Sequence, residues 1–251
     1  MSVVSEGAAK RPSIINPGRF AGIADRAVPI LGVATVLALA VGLYLALWAS
    51  PEDYQQGSTV RIMYIHAPSA YISLMAYLVM CSASLGTLVW RHPLADVAAR
   101  CAAPIGAVFT VATLATGAIW GKPMWGAWWV WDARLTSMLI LFFMYLGLIA
   151  LVRAIDEPVR AARITAIATL IGFVNIPIIK FSVDWWNTLH QGASVIRLDG
   201  PAMPASMLTP LLVMALAFTL LFMTLHLAAM RTELIRRRAR SLRLRTARSA
   251  G

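Results

Sequence analysis

Six stretches of this chain contain no Asp, Glu, Lys or Arg and are long enough, or nearly so, to cross the hydrocarbon core of a membrane. They cover residues 29–49, 68–90, 102–119, 136–152, 164–179 and 206–230. A transmembrane helix needs about 20 predominantly apolar residues. Hydrophobic residues make up 59% of the chain and charged residues 13%, which is too little charge to cover a soluble globule of this size. The sequence therefore predicts an all-α, polytopic membrane protein with six transmembrane helices and short interfacial helices in the outer loops.

The basic residues are distributed unevenly around the six predicted spans. Of the 22 lysines and arginines, 17 lie before span one, in the loops after spans two and four, or after span six. The remaining five lie in the other loops: Arg61, Lys122, Arg134, Lys180 and Arg197. Because basic residues concentrate on the cytoplasmic side, both termini are predicted to be cytoplasmic. The predicted parts are a cytoplasmic segment 1–28, a membrane domain 29–230 with outer loops 50–67, 120–135 and 182–205, and a cytoplasmic arginine-rich tail 231–251.

The formal net charge of +11 raises the question of nucleic-acid binding. The predicted topology, together with attraction of the tail to anionic lipid headgroups, already explains most of this charge. No nucleic-acid-binding module is recognisable, so we expect anionic lipids and no nucleic acid as partners. The chain also lacks a Gly-x-x-x-x-Gly-Lys-Ser/Thr motif, which excludes ATP hydrolysis by that route.

The second predicted outer loop holds five of the nine tryptophans in one nearly uncharged stretch. These are Trp120, Trp125, Trp128, Trp129 and Trp131, and Asp132 follows them directly. A helix entering after Pro123 would align Trp125, Trp128, Trp129 and Asp132 on one face, flat in the interface. Single tryptophans at a membrane boundary are usually anchors. Five together exceed what anchoring requires, and they favour a surface for a large planar ligand.

Two histidines lie on the same predicted side as the tryptophans. His66 precedes Pro68, which is expected as the first helical residue of span two. His190 lies in a stretch from Ser182 to Gly192 that predicts a helix of about two turns, with Trp186 and His190 on one face. The other two histidines, His92 and His226, lie toward the cytoplasmic side, and we interpret both as hydrogen-bonded structural residues.

Two neutral imidazoles suit the iron of a six-coordinate haem, flat aromatic side chains suit its porphyrin ring, and cations suit its propionates. The iron ligands would be His66 and His190. The nearby cations are Arg61, Lys122, Arg134 and Arg197. The same four residues are also typical of charged side chains at the ends of transmembrane spans or in solvated loops. The pattern alone does not decide between these roles and propionate binding. The chain has no Cys-x-x-Cys-His motif, so it does not itself carry a covalently attached c-type haem.

The tryptophan loop resembles the WWD signature of membrane proteins that handle haem during cytochrome c biogenesis, over Trp120-Gly-x-x-x-Trp-Gly-x-Trp-Trp-Val-Trp-Asp-Ala-Arg-Leu-Thr-Ser137. Ile62-Met-Tyr-Ile-His-Ala-Pro68 and Trp185-Trp-Asn-Thr-Leu-His-Gln-Gly-Ala-Ser194 resemble the histidine segments of one such family, haem exporter protein C (CcmC). Six spans in about this length also match it. Asp184, where the family more often carries Glu, is a departure that keeps the charge.

The resemblance implies a protein of the bacterial inner membrane that holds haem b non-covalently and transiently at the periplasmic face. Its axial ligands would be His66 and His190, and its WWD loop would pass haem to the haem chaperone CcmE. Further implied partners are the small membrane protein CcmD and the ABC transporter subunits CcmA and CcmB. Combined with the residue pattern, the cofactor-binding residues would be His66, His190, Trp120, Trp125, Trp128, Trp129, Trp131, Asp132, Arg134 and Arg61.

The implied role is that of a haem carrier and assembly factor rather than an enzyme, and no catalytic residue is predicted. Whether the chain assists covalent attachment of haem to the chaperone stays open. Within the site, Arg61 and Arg134 are candidates for the propionates. Asp132 either caps or orients the loop or neutralises Arg134.

Two other classes of function stay open at this stage. A membrane electron-transfer cytochrome b also uses paired histidines, but usually within its spans, where this chain offers only His226 near one end. A small-solute permease usually has discontinuous spans and polar residues near the midplane, for which Asn175 before Pro177 is a weak indication.

Overall fold

The computed structural model is a bundle of helices, and it describes residues 16–186, 188–190, 192, 194–195, 197 and 199–249. The α-helices are α1 (Pro17–Tyr44), α2 (Met63–Val89), α3 (Pro93–Trp125), α4 (Ala133–Ala154), α5 (Pro158–Gly172), α6 (Asn175–Trp185) and α7 (Ala205–Ser249). A π-helical turn, Leu45–Ala49, extends α1, and a 3₁₀ helix, Ser58–Ile62, leads into α2. No β-strand occurs within these residues.

The prediction of six spans in an all-α membrane protein is confirmed. The six candidate spans are Pro17–Ala49, Ser58–Val89, Pro93–Trp125, Ala133–Ala154, Pro158–Trp185 and Ala205–Ala247, all long and apolar enough to cross a membrane. The fifth combines α5 and α6. The predicted segment 1–28 lies partly outside the described residues, and α1 already begins at Pro17. The predicted tail 231–251 continues α7 as a helix as far as Ser249.

The helix starts follow from local sequence. Asn16, His92, Asp132 and Glu157 each accept a hydrogen bond from a backbone N–H in the first turn of the helix that follows. Proline stands at the first helical position after Asn16, His92 and Glu157, where its missing N–H costs nothing. These caps satisfy donors that would otherwise lack partners at the helix ends.

The core is built around α2, and buried tyrosines connect its neighbours to it. Tyr77 on α2 donates to the Thr169 carbonyl of α5 at 3.0 Å, and Tyr145 on α4 donates to the Ser73 carbonyl of α2 at 2.7 Å. The two tyrosine rings meet edge to face, with centroids 5.6 Å apart. In an apolar interior each hydroxyl requires such a partner, so these bonds fix how the three helices pack.

The predicted helix through the tryptophan loop is wrong. Helix α3 ends at Trp125 because Gly126 adopts a left-handed conformation with φ of 75°, and its N–H bonds back to the Lys122 carbonyl. Residues 126–132 are not helical, and α4 starts only after Asp132. Trp125, Trp128, Trp129 and Asp132 therefore do not form a helical stripe.

Two further local predictions also need correction. The predicted helix from Ser182 to Gly192 is wrong for the described residues, because α6 ends at Trp185, Trp186 is extended and residues 188–190 are not helical. Trp186 and His190 therefore do not share a helix face. Residues 187 and 191 of that stretch lie outside the described residues. Pro68 is not the first helical residue of span two, since the 3₁₀ helix Ser58–Ile62 feeds directly into α2 at Met63. His66 thus lies on the first turn of α2.

Replacing Gly106 on α3 by alanine should destabilise the bundle. A Cβ at Gly106 would overlap the ring of the fully buried Tyr145, which is held by its hydroxyl hydrogen bond. We expect a loss of about 1–3 kcal/mol in the free energy of unfolding, typical of overpacking, seen as a lower midpoint in thermal unfolding in detergent.

The control for this change is Gly147→Ala on α4, where a Cβ would have no neighbour within 4 Å. Because alanine favours a helix over glycine by about 1 kcal/mol, this variant should be as stable as the parent or slightly more stable. Equal midpoints for both variants would contradict the proposed packing.

Candidate functional site

An open cavity of about 360 Å³ lies at the end of the bundle where α2 begins and α3 ends. Its walls are mostly apolar, with a few polar and charged groups. The lining residues are Gln56, Met63, Ala67, Gly117, Trp120, Gly121, Met124, Trp125, Arg134, Lys180, Leu189, His190, Gly192, Ser194, Val195, Met203 and Leu211. An apolar cleft with few convergent polar groups is typical of a site for a small molecule or cofactor.

His190 is held in this cavity by Asp132. One carboxylate oxygen of Asp132, Oδ1, accepts from the Leu135 backbone N–H at 2.8 Å and caps α4. The other, Oδ2, lies 2.9 Å from Nδ1 of His190 and also accepts from the Thr188 hydroxyl. The His190 backbone N–H donates to Thr188 Oγ1 at 3.1 Å. One carboxylate thus fixes both the start of α4 and the orientation of the imidazole.

The charges of this pair follow from burial and hydrogen bonding. Burial opposes ionisation of Asp132, but hydrogen bonds from Thr188, the Leu135 N–H and His190 hold the pKa of its carboxyl below the ordinary value. Burial lowers the pKa of His190, although Asp132 acts in the opposite direction. At neutral pH, Asp132 is therefore ionised and His190 is neutral. The Nδ1–H donates to the carboxylate, which leaves the lone pair on Nε2.

His66 reaches the same state through a different partner. Its Nδ1 lies 3.1 Å from Oγ1 of Thr116 on α3. The Thr116 hydroxyl donates its own hydrogen to the Ala112 carbonyl at 2.6 Å, so its oxygen accepts from His66. Gly117 makes room for the ring, since a Cβ there would lie 3.1 Å from His66 Cε1. In its neutral form His66 therefore also carries its lone pair on Nε2.

The other two histidines carry their ring proton on Nε2 instead of Nδ1, and they lie at the opposite end of α3. His92 uses Nδ1 to accept from the Leu94 N–H at 3.2 Å, so its proton is on Nε2. His226 points Nε2 at the Ala98 carbonyl at 2.9 Å, and only a protonated Nε2 can donate there. Both act as structural hydrogen-bonding residues, and neither has a free Nε2 lone pair.

Two of the five predicted tryptophans contact the histidine rings. Trp120 meets His66 edge to face with ring centroids 5.6 Å apart, and Trp125 meets His190 in the same manner at 5.0 Å. Trp120 is held by a hydrogen bond from Nε1 to Gln56 at 3.0 Å. Helix α3 therefore places one tryptophan beside each imidazole, and both tryptophans line the cavity.

The other three tryptophans lie in the non-helical loop after Gly126 and are not among the residues that line the cavity. Trp128 is 59% exposed and Trp131 is 76% exposed. Trp129 is half-buried and meets Trp131 edge to face, with centroids 5.4 Å apart. Its Nε1 is buried and has no hydrogen-bond partner within the described residues. The five tryptophans therefore form two groups rather than one continuous surface.

The cations also fall into two groups, those that line the cavity and those that do not. Arg134 lines the cavity and donates from Nη2 to the Lys180 carbonyl at 3.3 Å, while its Nε is buried without a partner in the described part of the chain. Lys180, in the middle of α6, lines the cavity as well. Sequence reasoning did not assign Lys180 to the site, although its position directly after the fifth apolar stretch was a usable signal.

Arg61, Lys122 and Arg197 do not line this cavity. The Nε of Arg61 is buried and unpaired among the described residues. Lys122 donates to the Gly126 carbonyl at 3.0 Å and so supports the end of α3. Arg197 is paired with Asp199.

The tautomers of His66 and His190 should differ from those of His92 and His226, as measured by ¹⁵N NMR of histidine-labelled, haem-free protein at neutral pH. We expect His66 and His190 as Nδ1–H tautomers and His92 and His226 as Nε2–H tautomers. Asp132→Asn keeps an α4 cap but removes the charged partner of His190, so only the His190 signals should shift strongly. A predominant Nε2–H tautomer at His66 or His190 would contradict the hydrogen bonding described above.

The chain is similar to known proteins over most of its length. A family model described as "Heme exporter protein C" (CcmC) matches residues 12–245. Heme exporter protein C of Bradyrhizobium diazoefficiens is 64% identical over 231 residues, which is 92% of this chain and 88% of the relative. The protein of the same name from Escherichia coli K12 is 48% identical over 219 residues, 87% and 88% of the two chains. That from Haemophilus influenzae is 47% identical over 218 residues, 87% and 89%. The chain therefore belongs to the heme exporter protein C (CcmC) family.

Proposed function

We propose that this protein binds haem in the cavity between α2, α3 and the third outer loop, with the iron between His66 and His190, and delivers it for cytochrome c maturation. One observation carries the proposal. His190 lines the cavity, and His66 lies beside Trp120, which also lines it. Both imidazoles donate a hydrogen bond from Nδ1, which leaves the lone pair of each ring on Nε2. The family match and the relatives named "Heme exporter protein C" support the same ligand.

The remaining walls have the chemistry that a porphyrin needs. Trp120 and Trp125 offer aromatic faces next to the two imidazoles, and Met63, Met124 and Leu211 supply apolar contact. Arg134 has a buried Nε without a partner in the described part of the chain. Together with Lys180 it would bind the propionates. Arg61 stays a candidate from the first outer loop, and Trp128, Trp129 and Trp131 stay candidates for contact from the WWD loop.

The two ligands differ in donor strength. His190 donates its Nδ1–H to a carboxylate, whereas His66 donates to a neutral hydroxyl. A carboxylate partner raises the basicity of an imidazole ligand. In this proposal His190 is the stronger ligand to iron and His66 the weaker one. Such asymmetry suits a site that must release its haem, and Asp132 acts as a positioning residue for His190.

The wider setting is part of the same proposal. The site faces the periplasm from the bacterial inner membrane, both termini lie in the cytoplasm, and the haem is haem b held without a covalent bond. The receiving protein is the haem chaperone CcmE, with CcmD, CcmA and CcmB as further partners. The protein is a haem carrier and assembly factor rather than an enzyme.

An electron-transfer cytochrome b has less support. His226 lies near one end of the sixth apolar stretch, and its Nε2 is used by the Ala98 carbonyl. A permease has less support as well. Asn175 donates to the Ser137 carbonyl at 2.9 Å, which is a structural role joining α6 to α4.

Replacing either His66 or His190 by alanine should reduce haem retention by at least about tenfold, since even partners of metal ligands contribute that much. The measurement is the Soret absorbance per mole of purified protein, together with c-type cytochrome formation in cells. His226→Ala is the matched control and should retain haem like the parent. Parental haem content in both ligand variants would rule out the proposed ligation.

Haem binding should depend on pH in a defined direction. Because burial holds the pKa of His190 below its ordinary value of 6.5, protons compete with iron only below that pH. Affinity should be constant from about pH 8 to pH 7 and should weaken as the pH falls below about 6.5, measured by haem titration. A tenfold loss between pH 8 and pH 7 would show that a different group controls binding.

A further inference from the structure

A second cavity, of about 530 Å³, lies at the opposite end of α2 and α3 from His66 and His190. It is bounded by the last turn of α2, the first turns of α3 and α5, and α7. Part of its wall is apolar, with Leu88, Val159 and Ile167. Ile167 is 45% exposed on the outer surface of α5, so the apolar wall of the cavity continues onto the outer surface of the bundle.

The other wall carries a surplus of positive charge. Asp96 is already paired, since it accepts from Arg100 at 2.5 Å and from Arg237 at 2.7 Å. Arg91 and Arg163 also line the cavity, and both are exposed. Neither has a carboxylate within ion-pair distance in the described part of the chain. Their two charges are therefore available to an anion.

A buried donor lies in the same wall. The Nδ1 of His92 accepts from the Leu94 N–H, so the ring proton is on Nε2. That Nε2 is buried and has no hydrogen-bond partner among the described residues. A buried N–H without an acceptor is unfavourable, and an anionic oxygen in the cavity would satisfy it.

We propose that this cavity binds the phosphodiester headgroup of an anionic glycerophospholipid. The phosphate lies against Arg91, Arg163 and His92, and one acyl chain covers Leu88 and Ile167. A free phosphate has the same anionic chemistry but would leave the apolar wall uncovered. Basic pockets between transmembrane helices are known to bind such headgroups. The site is separate from the haem cavity and does not depend on the proposed haem function.

The test measures binding of dioleoylphosphatidylglycerol to the full-length protein in a neutral detergent by native mass spectrometry, with dioleoylphosphatidylcholine as the uncharged comparison. Arg91→Asn combined with Arg163→Gln removes both free charges. Asparagine tolerates the left-handed backbone of Arg91, whose φ is 51°. Each arginine near a lipid headgroup contributes a factor of about five, so we expect the double variant to bind phosphatidylglycerol roughly 30-fold more weakly.

The matched control is Arg26→Gln combined with Arg153→Gln, which removes the same charge from exposed positions on α1 and α4 that do not line the cavity. It should bind phosphatidylglycerol like the parent. Parental binding in the cavity variant, or an equal loss in the control, would overturn the site. Equal binding of the parent to phosphatidylcholine would also overturn it.

A second variant removes the risk that a poorly folded protein gives a false positive result. His92→Asp retains a side chain that caps α3 well but places a negative charge in the cavity. It should unfold at the parental temperature and still lose phosphatidylglycerol. Excess inorganic phosphate should leave the bound lipid in place. Displacement of the lipid by phosphate would show that the site takes the free anion and would overturn the lipid assignment.

Discussion

The bond between Asp132 and His190 is the contact on which the outer end of this molecule depends. It joins residues 58 positions apart, and the same carboxylate caps α4. The tryptophan loop must therefore end where the cap requires it, and the third outer loop must return to the bundle at that point. Burial keeps His190 neutral, and hydrogen bonds keep Asp132 ionised, so the bond joins a neutral imidazole to a carboxylate. An uncharged imidazole with a fixed Nδ1–H results, as a metal ligand requires.

The tautomer of His66 is also fixed by a hydrogen bond at Nδ1, but its partner is a neutral hydroxyl. Thr116 already donates its hydroxyl hydrogen within α3, so it can only accept from the imidazole. Each imidazole thereby carries its lone pair on Nε2, with His190 lining the cavity and His66 next to the cavity residue Trp120. The buried tyrosine bonds that join α2 to α4 and α5 hold the frame on which these side chains sit. Position and tautomer are thus set by neighbours far apart in the chain.

The sequence was sufficient to predict the six spans and the grouping of His66, His190 and the tryptophans at one end, because uncharged length and charge asymmetry are properties of local composition. It misjudged the tryptophan loop. A regular spacing of Trp125, Trp128 and Trp129 outweighed two stop signals that were also present, Gly126 after a helix and Asp132 before one. The periodicity was that of a helix, but a left-handed glycine cannot continue it.

Other features lie beyond what a single sequence can indicate. Nothing near Thr116 in the chain marks it as the partner of His66, and nothing near Thr188 marks it as a donor to Asp132, since both bonds join separate segments. The division of the tryptophans into a pair beside the histidines and an outer group is likewise a result of where α3 ends. Lys180 could have been assigned from its place at the end of an apolar stretch. The hydrogen bond from Arg134 to the Lys180 carbonyl could not have been predicted from the sequence.

The proposed ligation is tested most directly by pulsed electron paramagnetic resonance of the ferric, haem-loaded protein carrying ¹⁵N only in histidine. The proposal predicts low-spin iron with strong ¹⁵N coupling to two different imidazole nitrogens. Loss of His66 or of His190 should each remove one of the two couplings. A high-spin spectrum, or coupling to fewer than two histidine nitrogens in the parent protein, would contradict the assignment of His66 and His190 as the pair that holds the iron.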